Sequence, residues 1–157
     1  MIFLLVLSNL YWLPLSIKTF FNRFSTTGFP SGTFFSALVF AGFLKNQERE
    51  TFGQPISQHQ AVQLKLAKMA TRVEASKLMV GSAANKFDSG ERCDMEAGMA
   101  KYFASEAGVF CSQEAMRIFG GYSYSTEYEI ERFYRDAMLM CIGEGTNELQ
   151  QLIIAKQ

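Results

Sequence analysis

The feature that most constrains this chain is a stripe of apolar and small residues near its middle. The members alternate steps of four and three positions, and they are Val62, Leu66, Met69, Val73, Ser76, Val80 and Ala83. This spacing predicts an amphipathic helix of about 30 residues, with most of its lysines and arginines off the stripe. Asp88, Ser89 and Gly90 should end it, since all three favour turns. A stripe this long must be buried, so other helices are expected to cover it.

The second predicted helix begins at Asp94, as its N-cap, and runs to Phe119. Its larger apolar residues again recur at helical spacing: Met95, Met99, Phe103, Val109 or Phe110, and Met116. A double glycine follows directly and should stop the helix.

Two more helices complete the pattern. Thr126 and Glu129 have the spacing of a capping box at the start of the third, and the fourth opens at Thr146 with Glu148 in its first turn. No stretch longer than four residues alternates like a half-buried strand. Residues 48–157 are therefore expected to be all-α, as an antiparallel up-and-down four-helix bundle.

Residues 1–47 differ from the rest of the chain. They are apolar and aromatic and hold three basic residues and no acid, whereas residues 48–157 carry 12 basic and 15 acidic residues. A membrane or interfacial segment and an organelle-targeting signal each fit this pattern in part, and the remaining alternative is a segment that the downstream domain does not need. Because acidic and basic residues balance overall, no basic field for nucleic acid is expected.

The cysteines do not form a recognisable site. Cys93, Cys111 and Cys141 are far apart, and His59 is the only histidine. This is too little for a zinc site or a disulfide framework. The thiols are expected to be reduced and packed as small apolar groups, in an intracellular compartment such as the mitochondrial matrix or the bacterial cytoplasm.

The tripeptide Gly143-Glu144-Gly145 has the clearest chemical character. Glycine on both sides leaves the carboxylate accessible to a ligand, and the helix that starts after it offers a positive dipole end. Taken alone, the tripeptide also fits a tight turn with a solvated glutamate. Gly120-Gly121 is similarly open, since it could be a helix stop or a phosphate-binding turn.

Four segments in order give the chain a family resemblance: RETFGQPISQHQ, GMAKYFASEAG, AMRIFGGYSYSTEYEIERFYRDA and GEGTNELQQLIIAK. Together they resemble the C-terminal helical domain of the acyl-CoA dehydrogenases, over residues 48–157. The resemblance implies a four-helix bundle within a homotetrameric flavoprotein. Such an oxidoreductase takes a proton from the α-carbon of an acyl-CoA thioester while the β-hydrogen leaves as hydride to FAD.

The resemblance also implies roles for single residues. Glu144 matches the base that removes the α-proton, and Gly145 lies where the substrate thioester passes. Arg49, with Thr51 and Phe52, matches a segment that contacts the FAD pyrophosphate and adenine side, reaching a neighbouring subunit's cofactor. The other positions that match cofactor contacts are Gln60, Arg117, Gly120, Gly121, Thr146 and Glu148. No metal ligand is implied.

Several consequences of the resemblance stay open. Arg117 stands where the family often has glutamine, which puts that cofactor contact in doubt. Residues 1–47 offer no counterpart of the family's N-terminal and β-domains, so the chain is expected to be a fragment with little activity alone. The alternative is a non-catalytic helical module that oligomerises or associates with a membrane; an acyl-CoA oxidase fits less well. The motifs do not specify the acyl chain length. An electron acceptor similar to the electron-transfer flavoprotein is compatible with the family.

Overall fold

A computed structural model describes residues 49–156 of the chain. Its elements are β1 (Glu50–Thr51), β2 (Gln54–Pro55), α1 (Gln60–Asp88), α2 (Asp94–Phe119), α3 (Ile130–Ile142) and α4 (Asn147–Ala155). Short 3-10 helices precede α1, at Ile56–Gln58, and follow α2, at Gly120–Tyr124. The predicted all-helical bundle is confirmed, with one two-residue antiparallel β-pair added ahead of α1. The membrane and targeting alternatives for residues 1–47 lie outside the described residues.

Helix α2 is the centre of the bundle, and the other three helices pack chiefly on it. Helix α1 runs antiparallel to α2, because Lys65 near its start bonds Glu114 at 2.5 Å and Lys86 near its end bonds Glu96 at 2.6 Å. The segment 89–93 that joins the two helices turns through Gly90, whose φ of +77° suits glycine.

Helices α3 and α4 follow one another along α2. The start of α3 meets the end of α2, where the rings of Phe119 and Tyr128 pack edge to face at 5.9 Å. The end of α3 reaches Lys101, and α4 continues from there until Ile154 lies against Gly98. Both helices therefore run opposite to α2, with the turn between them beside its N-terminal half.

The stripe that predicted α1 forms part of the core. Met69, Val73, Ser76 and Ala83 are buried, and Val62 and Leu66 pack on the core's edge. Opposite them on α2, the Cys111 thiol is also buried and lies 3.8 Å from the Met69 carbonyl. Burial raises the pKa of Cys111 to about 11, so the thiol stays protonated near neutral pH.

Most of the residues that helix α2 buries have small side chains. The larger apolar residues that mark its predicted stripe are only half-buried: Met95, Met99, Phe103, Val109, Phe110 and Met116. The larger buried residues are Glu114, Ile118 and Phe119, near the end of the helix. The small buried residues are Gly98, Ala100, Ser105, Ala107, Gly108, Cys111, Ser112 and Ala115. Small residues let neighbouring helix backbones approach closely, as a helix surrounded by three others requires.

Two of the predicted helix starts are wrong in detail. Helix α2 has Cys93 as its N-cap, without a side-chain cap, and Asp94 sits in the first turn beside Arg92. Helix α3 begins at Ile130 with no capping side chain, so the expected capping box of Thr126 and Glu129 does not form.

The ion pair between α1 and α2 is partly buried. Glu114 on α2 accepts from Lys65 and from Arg117. Burial alone would raise the pKa of Glu114, but the two hydrogen-bonding cations outweigh it and hold that pKa below its usual value. Within residues 49–156, no helix is both long and apolar enough to cross a bilayer.

Met69→Ala tests the α1 to α2 core. Met69 is 0% exposed, so its truncation should leave a cavity and lower the free energy of unfolding by about 2–5 kcal/mol. Leu78→Ala, at a position on the same helix that is 66% exposed, is the matched control and should change it by less than about 0.5 kcal/mol. Urea unfolding followed by circular dichroism measures both, and equal losses would contradict this core.

Candidate functional site

The turn between α3 and α4 holds Glu144 in an unusual backbone conformation. Its φ is +60°, and Gly145 follows at +90°. Left-handed backbone costs a non-glycine residue about 1–2 kcal/mol, so surrounding contacts must hold the turn in place. One contact is at its start, where the Gly143 amide donates to the Leu139 carbonyl at 2.7 Å. The start of the turn is thus fixed to the last turn of α3.

The carboxylate of Glu144 points inward. Its Oε2 atom is buried. On the two helices that flank the turn, large apolar side chains are exposed: Leu139, Ile142, Leu149 and Leu152. The buried carboxylate oxygen thus lies in a turn whose flanking helices present apolar surface. Such an environment can keep water from a base once another surface covers it.

Lys101 of α2 lies beside this turn. Its ammonium donates to the Cys141 carbonyl at 3.3 Å and to the Asn147 side-chain oxygen at 2.8 Å. Burial lowers the pKa of Lys101, while the negative charges around it, including that of Glu144, oppose the shift.

Asn147, the first residue of α4, is the buried centre of a polar network. It is 5% exposed. Its Oδ1 accepts from Ser105 at 2.9 Å as well as from Lys101, and its Nδ2 donates to Glu106 at 2.8 Å. These bonds fix the first turn of α4 on α2.

The start of α4 agrees with the sequence prediction. Thr146 is the N-cap, and its hydroxyl oxygen accepts from the Leu149 amide at 3.3 Å. Glu148 is exposed in the first turn, where its own backbone amide and the Thr146 hydroxyl hold its pKa below the usual value. Both residues lie within a few positions of Glu144, so one turn presents all three.

A second cluster forms where α2 ends. Arg49 donates to the Phe119 carbonyl at 3.3 Å and stands over the Tyr122 ring at 5.8 Å. Gly120 has a φ of +62°, and a Cβ there would stand 3.2 Å from the Arg49 guanidinium. The structure therefore brings Arg49 against the double glycine, and open space remains beside Gly121. A planar guanidinium next to glycine backbone can bind a phosphate or diphosphate.

The other predicted cofactor contacts at this end of the sequence make separate contacts or are exposed. Thr51 bonds His59 at 2.9 Å, which holds the β-pair on the start of α1. Phe52 is 98% exposed at a positive φ, and Gln60 is exposed as the first residue of α1. Arg117 bonds Glu114 and is otherwise mostly exposed.

The two clusters do not meet within one chain. The Glu144 turn lies beside Lys101 of α2, and the Arg49 cluster lies beside Phe119 at the end of the same helix. At 1.5 Å per residue, Lys101 and Phe119 are about 27 Å apart along the helix axis. Ligand contacts at both ends of α2 therefore need either a very long ligand or two copies of the chain.

Sequence reasoning missed the polar residues under the turn. Lys101 and Ser105 stand within GMAKYFASEAG, and Asn147 directly follows the threonine of GEGTNELQQ. A lysine, a serine and an asparagine at these spacings are ordinary surface residues by pattern. Only their hydrogen bonds to one another in the folded structure identify them as part of the site.

Comparisons with known proteins give one family. The model described as acyl-CoA dehydrogenase, C-terminal domain, matches residues 21–157. The 3-(aryl)acrylate reductase of Clostridium sporogenes is 50% identical over 109 residues, covering 69% of this chain and 29% of the relative. An acyl-CoA dehydrogenase of Bacillus subtilis is 48% identical over 110 residues, covering 70% and 29%. The chain thus spans under a third of the length of these curated relatives.

Solved structures give the same fold. The FAD complex of PigA superposes with a TM-score of 0.76 at 30% identity, covering 78% of this chain and 32% of that one.

Gly145→Ala tests the left-handed turn. The alanine would have to adopt a φ near +90°, and its Cβ would lie 2.9 Å from Gln150 Nε2. The free energy of unfolding should therefore fall by about 1–2 kcal/mol. Gly81→Ala is the matched control, because no atom lies within 4 Å of its Cβ in α1, and should raise stability by about 0.5–1 kcal/mol. Thermal unfolding measures both, and a stabilising Gly145→Ala would contradict the turn geometry.

Proposed function

Because this chain belongs to the acyl-CoA dehydrogenase family of oxidoreductases, we propose that residues 48–157 supply the catalytic base and part of the FAD site for α,β-dehydrogenation of an acyl-CoA thioester. The observation that carries the proposal is Glu144. It occupies a constrained left-handed turn, with a buried carboxylate oxygen, immediately ahead of a helix N-terminus.

The chemistry demands such a placement. A hydrogen on the carbon beside a thioester is far too weakly acidic for a carboxylate in bulk water. Removing it requires a base held close to that carbon and donors aimed at the oxygen that becomes negative. Glu144 supplies the base, and its own backbone amide supplies a donor at the same turn. Gly145, lacking a side chain, leaves room for the thioester to pass.

The apolar residues around the turn support the same role. Leu139 and Ile142 precede it, and Leu149 and Leu152 follow it, all substantially exposed. An acyl chain or a further protein surface laid across them would exclude water from Glu144. A carboxylate without competing water is a stronger base toward carbon.

The Arg49 cluster fits the diphosphate of FAD. The guanidinium offers paired donors, and Gly120 keeps the backbone clear beside it. FAD, when bound, supplies the acceptor for the β-hydride. The resemblance assigns Thr51, Phe52, Gln60, Arg117 and Gly121 to the same cofactor, whereas Thr146 and Glu148 follow the base directly in the chain.

We further propose a homo-oligomer, a tetramer as in the family. The Arg49 cluster and Glu144 lie at opposite ends of α2, so a cofactor held by Arg49 is better placed to serve the base of a second copy. An acceptor similar to the electron-transfer flavoprotein would then reoxidise the flavin.

A non-catalytic helical module is the second candidate. The exposed apolar side chains of α3 and α4 favour it, since they could pack on a partner without any ligand. The two candidates differ in whether Glu144 matters to chemistry.

The 157-residue chain is expected to bind FAD weakly or not at all. Within residues 49–156, the Arg49 cluster and the Glu144 turn of one copy lie apart, so neither encloses a cofactor that the other holds. Visible flavin absorbance after purification with added FAD and desalting measures this. Stoichiometric flavin retained by the chain would contradict the expectation.

Glu144→Gln tests the base in a complete enzyme. Residues 48–157 would replace the matching segment of the Bacillus subtilis acyl-CoA dehydrogenase, and turnover of acyl-CoA thioesters would be followed. The substitution should lower kcat by at least about a hundredfold, because the proton has no acceptor, while FAD content stays unchanged.

Glu127→Gln, at an exposed position of the loop before α3, is the matched control and should leave turnover intact. An active chimera that keeps its turnover with Glu144→Gln would remove Glu144 from the role of base and leave the non-catalytic module as the better account.

A further inference from the structure

We propose that Lys101 is a positioning residue for Glu144, because its single ammonium group ties both ends of the turn that carries the carboxylate. This inference rests on the proposed role of Glu144 as the base. Lys101 does not itself contact the reacting atoms. It would act by fixing where the carboxylate and its backbone amide point.

The contacts of Lys101 span the turn. On one side its Nζ donates to the carbonyl of Cys141, in the last turn of α3. On the other it donates to the side chain of Asn147, the first residue of α4. Five residues, 142–146, lie between these anchors, and the last four of them, which include Glu144, make the whole connection from α3 to α4. One cation therefore holds the entry and the exit of the turn at a fixed separation.

The turn needs such an anchor, because its conformation is not the relaxed one. Two successive residues, Glu144 and Gly145, have positive φ. A non-glycine residue at φ +60° is disfavoured, and freeing the ends of the turn would let it move to ordinary dihedrals. Such a move would swing the carboxylate and rotate the amide of the same residue. Both groups are the ones that the proposed reaction uses.

Asn147 passes the constraint on to α4. Its carboxamide is nearly fully buried and bonded at both ends, since the oxygen accepts from Lys101 and Ser105 and the nitrogen donates to Glu106. An amide so satisfied can adopt only one orientation. The first residue of α4 is thereby fixed on α2, and so is the direction of the helix N-terminus beside Glu144.

The charge of Lys101 has a second effect. The negative charges that act on it include the carboxylates of Glu106, Glu144 and Glu148. A half-buried ammonium among them favours a compact arrangement. A neutral side chain of similar length would fill the space but leave the Cys141 carbonyl and the Asn147 side-chain oxygen without this charged donor.

Amide hydrogen exchange of the full 157-residue chain is the test. In Lys101→Met, the amides of Gly143 and Gln150, bonded to Leu139 and Thr146 on either side of the turn, should exchange about tenfold faster, since a charged donor is lost. The amide of Val73 in the core should not change. Lys68→Met, an exposed lysine on α1, is the matched control and should alter none of these rates. Unchanged turn amides in Lys101→Met would overturn the proposal.

Chemical rescue distinguishes the effect of the charge from that of the space the side chain fills. It also shows whether a faster exchange in the variant comes from the missing ammonium or from a general loss of stability. In Lys101→Ala, added propylammonium should restore the slow exchange of Gly143 and Gln150, whereas neutral propanol should not. If both compounds restore it, or neither does, Lys101 only fills space and the proposal fails.

Kinetics of the chimeric enzyme add a functional readout. Lys101→Met should lower kcat about tenfold and leave KM nearly unchanged, because substrate still binds beside a misplaced base. A change confined to KM would overturn the positioning role. The exchange results do not depend on turnover, so an inactive chimera with Lys101 intact would count against the proposed function and not against this inference.

Discussion

The packing of three helices on α2 is the constraint on which the rest of this structure depends. A helix with neighbours on so many sides can be approached closely only if the buried side chains are small, and the buried positions of α2 are mostly glycine, alanine and serine. This close approach sets α1 antiparallel along its length and leaves α3 and α4 in line on another side. The position of every candidate site residue follows from that arrangement.

The placement of α3 and α4 end to end has a direct functional consequence. Two helices that run in the same direction along one partner need only a short connection, and here four residues make it. A connection this short, pressed against α2, is forced into left-handed backbone at Glu144 and Gly145. In the same turn, one carboxylate oxygen of Glu144 is buried, and α4 starts three residues later. The left-handed backbone and the buried carboxylate oxygen therefore both belong to the short connection that the packing of α3 and α4 on α2 requires.

Much of the fold could be predicted from local signals. The apolar stripe located α1, Gly90 marked its end, and Thr146 gave the start of α4, since each signal depends on residues adjacent in the chain. The N-caps of α2 and α3 were mispredicted, because a capping side chain competes with tertiary contacts that no local pattern reveals. The stripe of α2 was also misleading: its large residues lie at the margins, and its small residues form the contacts.

The sequence by itself determined that the chain is helical and where its four helices lie, and the order of its motifs identified the family, because spacing and motif order are properties of the chain alone. The tertiary structure alone decided that Arg49 meets Gly120 while Glu144 stands far away along α2, and that Lys101 and Asn147 lie beneath its turn. These facts depend on which residues distant in sequence come into contact, and helix packing sets those contacts. Spacing along one chain cannot specify them.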